Sequence, residues 1–284
     1  MLTRTPIGLR ASRSLRPWSW NRSRARSRAV RAVSVHRDAI VVTSLLWQTN
    51  ATAIRAGEET MLIDSPYFPD ELELLPTVLE QAGFTPAAML ATHGDFDHLL
   101  GRLAFPELAL GVPETTAERL RASPGEAQRE LRDEDAKHYV SRPRPLSLGQ
   151  LQALPVPGRL ELGGEELELC EATGHTLDGM ALLAPWMGVL LCGDYLSAVE
   201  IPWISEGGSL PEYRATLECL APLVERSETV VPGHGPTHSR DTARVLLGED
   251  LAYLDALGGG EERPKLPEGR DTAAQREIHR LNLG

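Results

Sequence analysis

Short apolar runs, each cut off by a charged residue, a glycine or a proline, dominate the first half of the chain. Residues 39–46, 51–56 and 60–63 have the length and β-branched content of strands and the close spacing of a meander. Asp64 ends the third run, and Ser65-Pro66 turns the chain. The period then changes. Leu72, Leu75, Val78 and Leu79, spaced by three, three and one, fall on one face of a helix over 69–83. Glu71 and Glu73 sit in its first turn and Gly83 at its C-terminal end. A further apolar run ends at Leu90, and a short helix is expected over 113–121. Residues 123–144 are charged and then broken by prolines, which suits either a solvated connector or a wall over a pocket.

The second half alternates in the same way. Two strand-like runs surround Gly163-Gly164 within 158–171, a hairpin signal. The longest apolar stretch, 180–192, is interrupted by Pro185 and Gly188 and reads as two strands joined by a turn. Helices are expected over 210–225 and 242–257, a Gly/Pro/charge-rich linker over 258–270, and a terminal helix over 271–283. No internal repeat recurs at a fixed residue period.

Composition alters this picture mainly at the N-terminus. Of the 284 residues, 1–37 hold ten arginines and no acidic residue; they are expected to be a disordered extension, as a transit peptide, a basic tail or translated upstream sequence would be. The rest has 19 basic against 40 acidic residues, a formal −21. A body so acidic repels nucleic acid and anionic membrane, and no apolar run is long enough to span a bilayer. Cys170, Cys192 and Cys219 show no paired spacing, so a reducing, cytoplasmic setting is expected. Cys192 fits a small buried strand residue.

Chemistry concentrates where runs end. Directly after the run at 87–90 comes Thr92-His93-Gly94-Asp95-Phe96-Asp97-His98, with four side chains able to hold a metal within six positions. A solvated polar loop would have a similar composition. Three more strand-like runs, however, end in Thr173-Gly174-His175, Cys192-Gly193-Asp194 and Pro232-Gly233-His234. Glycine beside each candidate permits tight turns and close backbone approach. Imidazole and carboxylate donors suit zinc, iron or manganese.

This order of motifs resembles the metallo-β-lactamase superfamily, which includes glyoxalase II-type thioesterases, lactonases and phosphodiesterases. The resemblance covers roughly residues 38 to 250. It implies an α/β fold, an αββα sandwich of two mixed sheets packed face to face with helices outside, over residues 38–257. It also implies two divalent ions: His93, Asp95 and His175 would hold the first, Asp97, His98 and His234 the second, with Asp194 bridging and Asp64 bracing the loop. Asp97 and Asp194 would be the carboxylates closest to the reaction. A hydroxide between the ions would attack an ester, thioester or lactone of a small-molecule substrate. Where the superfamily loop usually reads His-x-His-x-Asp-His, this chain has Asp95 for the second histidine. The extra carboxylate makes the cluster nearly neutral and shifts its preference from zinc towards iron or manganese.

Two further readings come with the same resemblance: a mononuclear iron oxygenase of the persulfide dioxygenase type, and a fold member that binds metal without turnover. Flavodiiron oxidoreductases place glutamate at the Asp95 position, but their flavin domain has no counterpart after residue 250. Tyr195 is expected to pack, with substrate contact as the alternative, and His238 to lie in a surface loop. His36, His138 and His279 have no supporting context.

Overall fold

The computed structural model describes residues 31–259 and 264–283. Among these residues, seven strands form one sheet in sequence order: β1 (Arg31–His36), β2 (Ala39–Thr43), β3 (Asn50–Ala56), β4 (Glu59–Asp64), β5 (Ala88–Leu90), β6 (Leu110–Pro113) and β7 (Leu151–Leu154). The first four pair antiparallel, and β4 to β7 pair parallel. The second sheet holds β8 (Gly158–Leu162), β9 (Glu165–Glu171), β10 (Met180–Ala184), β11 (Val189–Leu191), β12 (Thr229–Val231) and β13 (His238–Ser239), in the reverse order. It is antiparallel except for β11–β12.

Alternation of apolar side chains explains the layering. Val41, Ile54 and Ile63 from the first sheet meet Leu169, Leu182, Leu191 and Val231 from the second in a shared core. Their neighbours Val42, Ala53 and Leu62 point the other way, onto α1 (Pro69–Gln81), α2 (Gly101–Ala104), α3 (Glu114–Ala122) and α4 (Glu126–Lys137). Leu183, Leu190 and Val230 likewise point away from the shared core, against α5 (Leu210–Glu225) and α6 (Arg240–Gly258). Strands apolar on both faces need cover on both, and a helix–sheet–sheet–helix stack supplies it. The chain therefore forms the expected αββα sandwich.

Helix α1 also anchors a loop. Glu71, buried, accepts from the Phe68 amide (3.0 Å), Ser44 Oγ (2.6 Å) and the Leu45 amide (2.9 Å). Three donors offset the cost of burying its charge and fix the β2–β3 turn that carries Trp47.

Three expectations change. Residues 31–36, assigned above to a disordered extension, pair as β1 along the edge of the first sheet; its backbone bonds to β2 hold it while residues 31–34 stay exposed. Residues 1–30 lie outside the described residues. The 123–144 segment contains α4, which buries Leu131 and packs on the 95–98 turn. It is held there by Asp135, which accepts from Tyr67 Oη (2.8 Å) and Arg142 Nε (2.7 Å). The expected linker contains Arg270, only 1% exposed, which donates to Asp250 (2.5 Å), Glu249 (2.9 Å) and the Glu200 carbonyl (2.9 Å). After it, α7 (Ala273–Asn282) docks through Gln275, which accepts from the Ile201 amide.

Candidate metal centre

The loop after β5 places its four polar side chains by a change of conformation. Asp95 is extended, and Phe96–His98 then make one 3₁₀ turn, so that His93 and Asp95 join one group of donors and Asp97 and His98 another. His175 follows β9, Asp194 follows β11 and His234 follows β12. Each arrives through a glycine. Gly174 has φ +109°, and a Cβ there would collide with the Tyr213 backbone; a Cβ on Gly233 would collide with the Asp194 carboxylate. These two positions admit nothing larger.

All seven candidates come together. His93, Asp95 and His175 each offer one atom within 4.8 Å of the others, as do Asp97, His98 and His234, and as do His93, His98 and Asp194. Asp194 lies at the centre. Its Oδ1 is 3.1 Å from His98 Nε2, and its Oδ2 is 3.3 Å from the Nε2 of both His175 and His234 and 3.7 Å from that of His93. Asp97 Oδ2 is 3.4 Å from His234 Nε2, and Asp95 Oδ2 is 3.5 Å from His175 Nε2. Such separations suit donors that each lie about 2.0–2.2 Å from one small cation.

The orientation of each imidazole is set from behind. His175 Nδ1 donates to the Trp203 carbonyl (2.8 Å), and His234 Nδ1 faces the Trp47 carbonyl (3.2 Å). His93 Nδ1 is 3.1 Å from Thr92 Oγ1, and His98 Nδ1 is 3.1 Å from Asp64 Oδ2. A proton held at Nδ1 leaves the Nε2 lone pair facing inward, as metal-binding histidines require. His93, His98 and His175 Nε2 and Asp194 Oδ1 are buried without a hydrogen-bond partner. Unsatisfied, each costs on the order of 1–3 kcal/mol, and a cation between them would satisfy all four. The donor set thus fits divalent metal.

Burial opposes charge on these groups, and their mutual attraction outweighs it. Asp95 is held well below the usual carboxylate range by the imidazoles of His175 and His93 beside it, and Asp194 by the charges of His234, His98 and His93. Conversely, Asp194 foremost holds His98 and His175 well above the imidazole range and His234 up to about 10.

Backbone strain clusters here too. Trp47, Gln48, Asp64 and Leu196 have φ between +52° and +58°, a region costly for side chains other than glycine. Asp64 uses that turn to accept from the Thr92 amide (2.8 Å) and to reach His98, the bracing role expected of it.

Several neighbours were not legible beforehand. Arg119 on α3 bonds Asp95 and Asp178; Asp178 also accepts from the Gly94 amide (3.0 Å) and Thr116 Oγ1 (2.6 Å). Glu200 lies beside His234, 3.9 Å from its Nδ1. No linear spacing marks these contacts, because the packing of α3 and of the 197–204 segment creates them.

Other expectations resolve simply. Cys192 is buried among core side chains, and burial pushes its thiol up. Tyr195 packs: its hydroxyl donates to the Thr173 carbonyl and accepts from the His175 amide. His238 is buried in β13 and not in a surface loop. His36 and His279 bond to Asp38 and Tyr253, and His138 bonds to Glu134 with its ring 6.3 Å from that of Trp47; none of the three is in the donor groups above. Among the described residues, no helix is long and apolar enough to cross a membrane.

Comparison with known proteins follows the same lines. Over 210 residues the chain is 28% identical to an acyl-coenzyme A thioesterase, MBLAC2, of Gallus gallus, covering 66% of this chain and 72% of that one. Its fold is similar to that of a metallo-beta-lactamase family protein from Thermus thermophilus, with TM-score 0.62, 19% identity, and 82% and 86% of the two chains covered. A metallo-beta-lactamase from Pontibacter korlensis superposes with TM-score 0.59 at 18% identity, over 80% of this chain and 99% of that one. The family model for the metallo-beta-lactamase superfamily matches residues 45–234, from the β2–β3 turn to the last of the seven candidates, and the chain belongs to that superfamily.

Proposed function

We propose that the chain is a two-metal hydrolase of acyl thioesters. His93, Asp95 and His175 would hold one divalent ion and Asp97, His98 and His234 the other, with Asp194 available to both. The observation that carries this reading is the convergence of seven donors on one buried point, with Asp194 facing imidazoles of both groups, His93 and His175 of the first and His98 and His234 of the second. When bound, two such ions lower the pKa of water near them and stabilise negative charge on a carbonyl oxygen. Zinc is the favoured ion, with iron or manganese as alternatives admitted by Asp95.

The protein's own contribution is position. Asp64 and Thr92 lock one half of the cluster, and the Trp47 and Trp203 carbonyls lock two imidazoles of the other. Two partly exposed indoles border it: Trp203, with its ring centroid 5.5 Å from that of His175, and Trp47, 6.2 Å from Phe96. Leu45, two positions before Trp47, and Leu177, two after His175, are exposed as well and would extend an apolar rim suited to an acyl chain. A thiolate leaves a tetrahedral adduct without prior protonation, so the rim need supply no acid. The activity of the 28%-identical relative supports the thioester over lactone or ester. The three free thiols support a cytoplasmic setting.

Elemental analysis and an acyl-CoA, lactone and phosphodiester panel test this together. Two ions per chain with thioester cleavage is the expected result. Two ions without cleavage of any thioester would reject the substrate class. One iron with oxygen uptake would favour the oxygenase reading. Asp194→Ala should lower kcat/KM more than about 100-fold, beyond the usual cost of a supporting residue, and reduce bound metal. Unchanged metal content would remove Asp194 from between the ions.

A further inference from the structure

Asp95 stands where the superfamily's loop usually carries an imidazole, and its two oxygens are treated differently. Oδ1 accepts from Arg119 Nη2 at 2.8 Å. Oδ2 is free of that contact and faces His93 Nε2 at 3.7 Å and His175 Nε2 at 3.5 Å. Arg119 is itself fixed: its Nη1 donates to Asp178 Oδ1 at 2.8 Å, and the Asp178 side chain is fully buried. Asp178 Oδ2 accepts from Thr116, three positions before Arg119 on α3, and from the amide of Gly94, the residue before Asp95. Even the glycine takes part, since a Cβ at Gly94 would lie 3.1 Å from Asp178 Oδ2 and 3.3 Å from Arg119 Nη1.

We propose that Arg119 is a positioning residue that makes Asp95 a one-oxygen donor. Imidazole offers a cation one lone pair in one direction. A carboxylate free at both oxygens can swing, chelate with both, or reach the second ion. The guanidinium holds one oxygen with a charge-assisted bond and aims the other, so an aspartate here presents a single, fixed donor where a histidine would present one. Asp178 balances the charge of Arg119 and ties helix α3 to the loop, so the cluster's net charge is unchanged while its geometry is fixed. The role extends the two-cation reading above and depends on it.

The test uses the full chain with Zn²⁺ and Co²⁺ themselves. Removing Arg119 alone would leave Asp178 buried and unpaired, so Arg119→Met is made in the Asp178→Asn background and compared with Asp178→Asn, which keeps Arg119 on Asp95. Loss of Arg119 should weaken one of the two zinc ions about 10- to 100-fold in chelator competition. It should also dim the visible absorption of the cobalt form, because a second oxygen raises the coordination number. In the Asp95→His background the same change should move neither quantity, which a purely structural role for Arg119 would not produce. If the triple variant does not fold, Arg119→Lys replaces it; a single ammonium cannot span Asp95 and Asp178, so the same two shifts are expected. Unchanged affinity and spectrum in the Asp95 protein, or equal changes in both backgrounds, would overturn the assignment of Arg119 alone. A parent chain that binds neither metal would overturn the two-cation reading, and this one with it.

Discussion

Four imidazoles face one aspartate, and each has a neighbour beside its second ring nitrogen: Thr92 for His93, Asp64 for His98, and main-chain carbonyls for His175 and His234. The carboxylates raise His234 from an ordinary imidazole value to about 10. A group whose pKa rises on folding stabilises the fold fully below its unfolded value, near 6.5, and that contribution fades as pH climbs through the folded value. Protein stripped of metal should therefore lose thermal stability between pH 6.5 and about 10, whereas zinc-loaded protein, whose imidazoles carry no such proton, should not. Superimposable pH profiles for the two forms would contradict this. Zinc added at about pH 7 should likewise release protons, detectable as a buffer-dependent heat of binding. Residues of this kind were legible in the sequence because each follows a strand-like run beside a glycine. Arg119 and Asp178 were not: 59 positions separate them, and only the docking of α3 brings them together.

At the level of elements, legibility followed length and period. Helix α5 was expected over its observed residues, and α1 and the β8–β9 hairpin nearly so, because leucine spacing and the Gly163-Gly164 turn act locally. Strands of two to four residues, β6, β7 and β13, carry too few positions to show a period, and sheet pairing defines them. β1 is mostly exposed and so left no apolar face to detect. The turns between elements make the sharpest prediction. Gly174→Ala would force a side chain into the Tyr213 backbone at φ +109°, so it should cost at least about 1–3 kcal/mol in denaturant unfolding and displace His175. An alanine variant as stable as the parent would show that this turn relaxes.

The whole molecule is two sheets closed by helices, with the C-terminal segment fastened across the second half. Arg270 reaches the carbonyls of Ser197 and Glu200, and α7 holds the amides of Ile201 and Ile204 through Gln275 and Asn282, so the far end of the chain shapes the segment carrying Trp203. Arg270→Met would strand Asp250 in the interior and should cost about 3–5 kcal/mol by calorimetry; a loss under about 1 kcal/mol would mean the segment contributes little. Composition disguised this region, since glycine, proline and charge resemble a linker until Arg270 finds its partners. The ligand loops have a consequence on the same scale. His93, Asp95, Asp97 and His98 hang from the first sheet, and His175, Asp194 and His234 from the second. Cations seated among them would rivet the two halves together, and at roughly a hundredfold excess over Kd each would add about 2.7 kcal/mol to the native state. The melting point of such a protein would report the metal supply of its surroundings, and starvation for metal would loosen the scaffold as well as empty the proposed site.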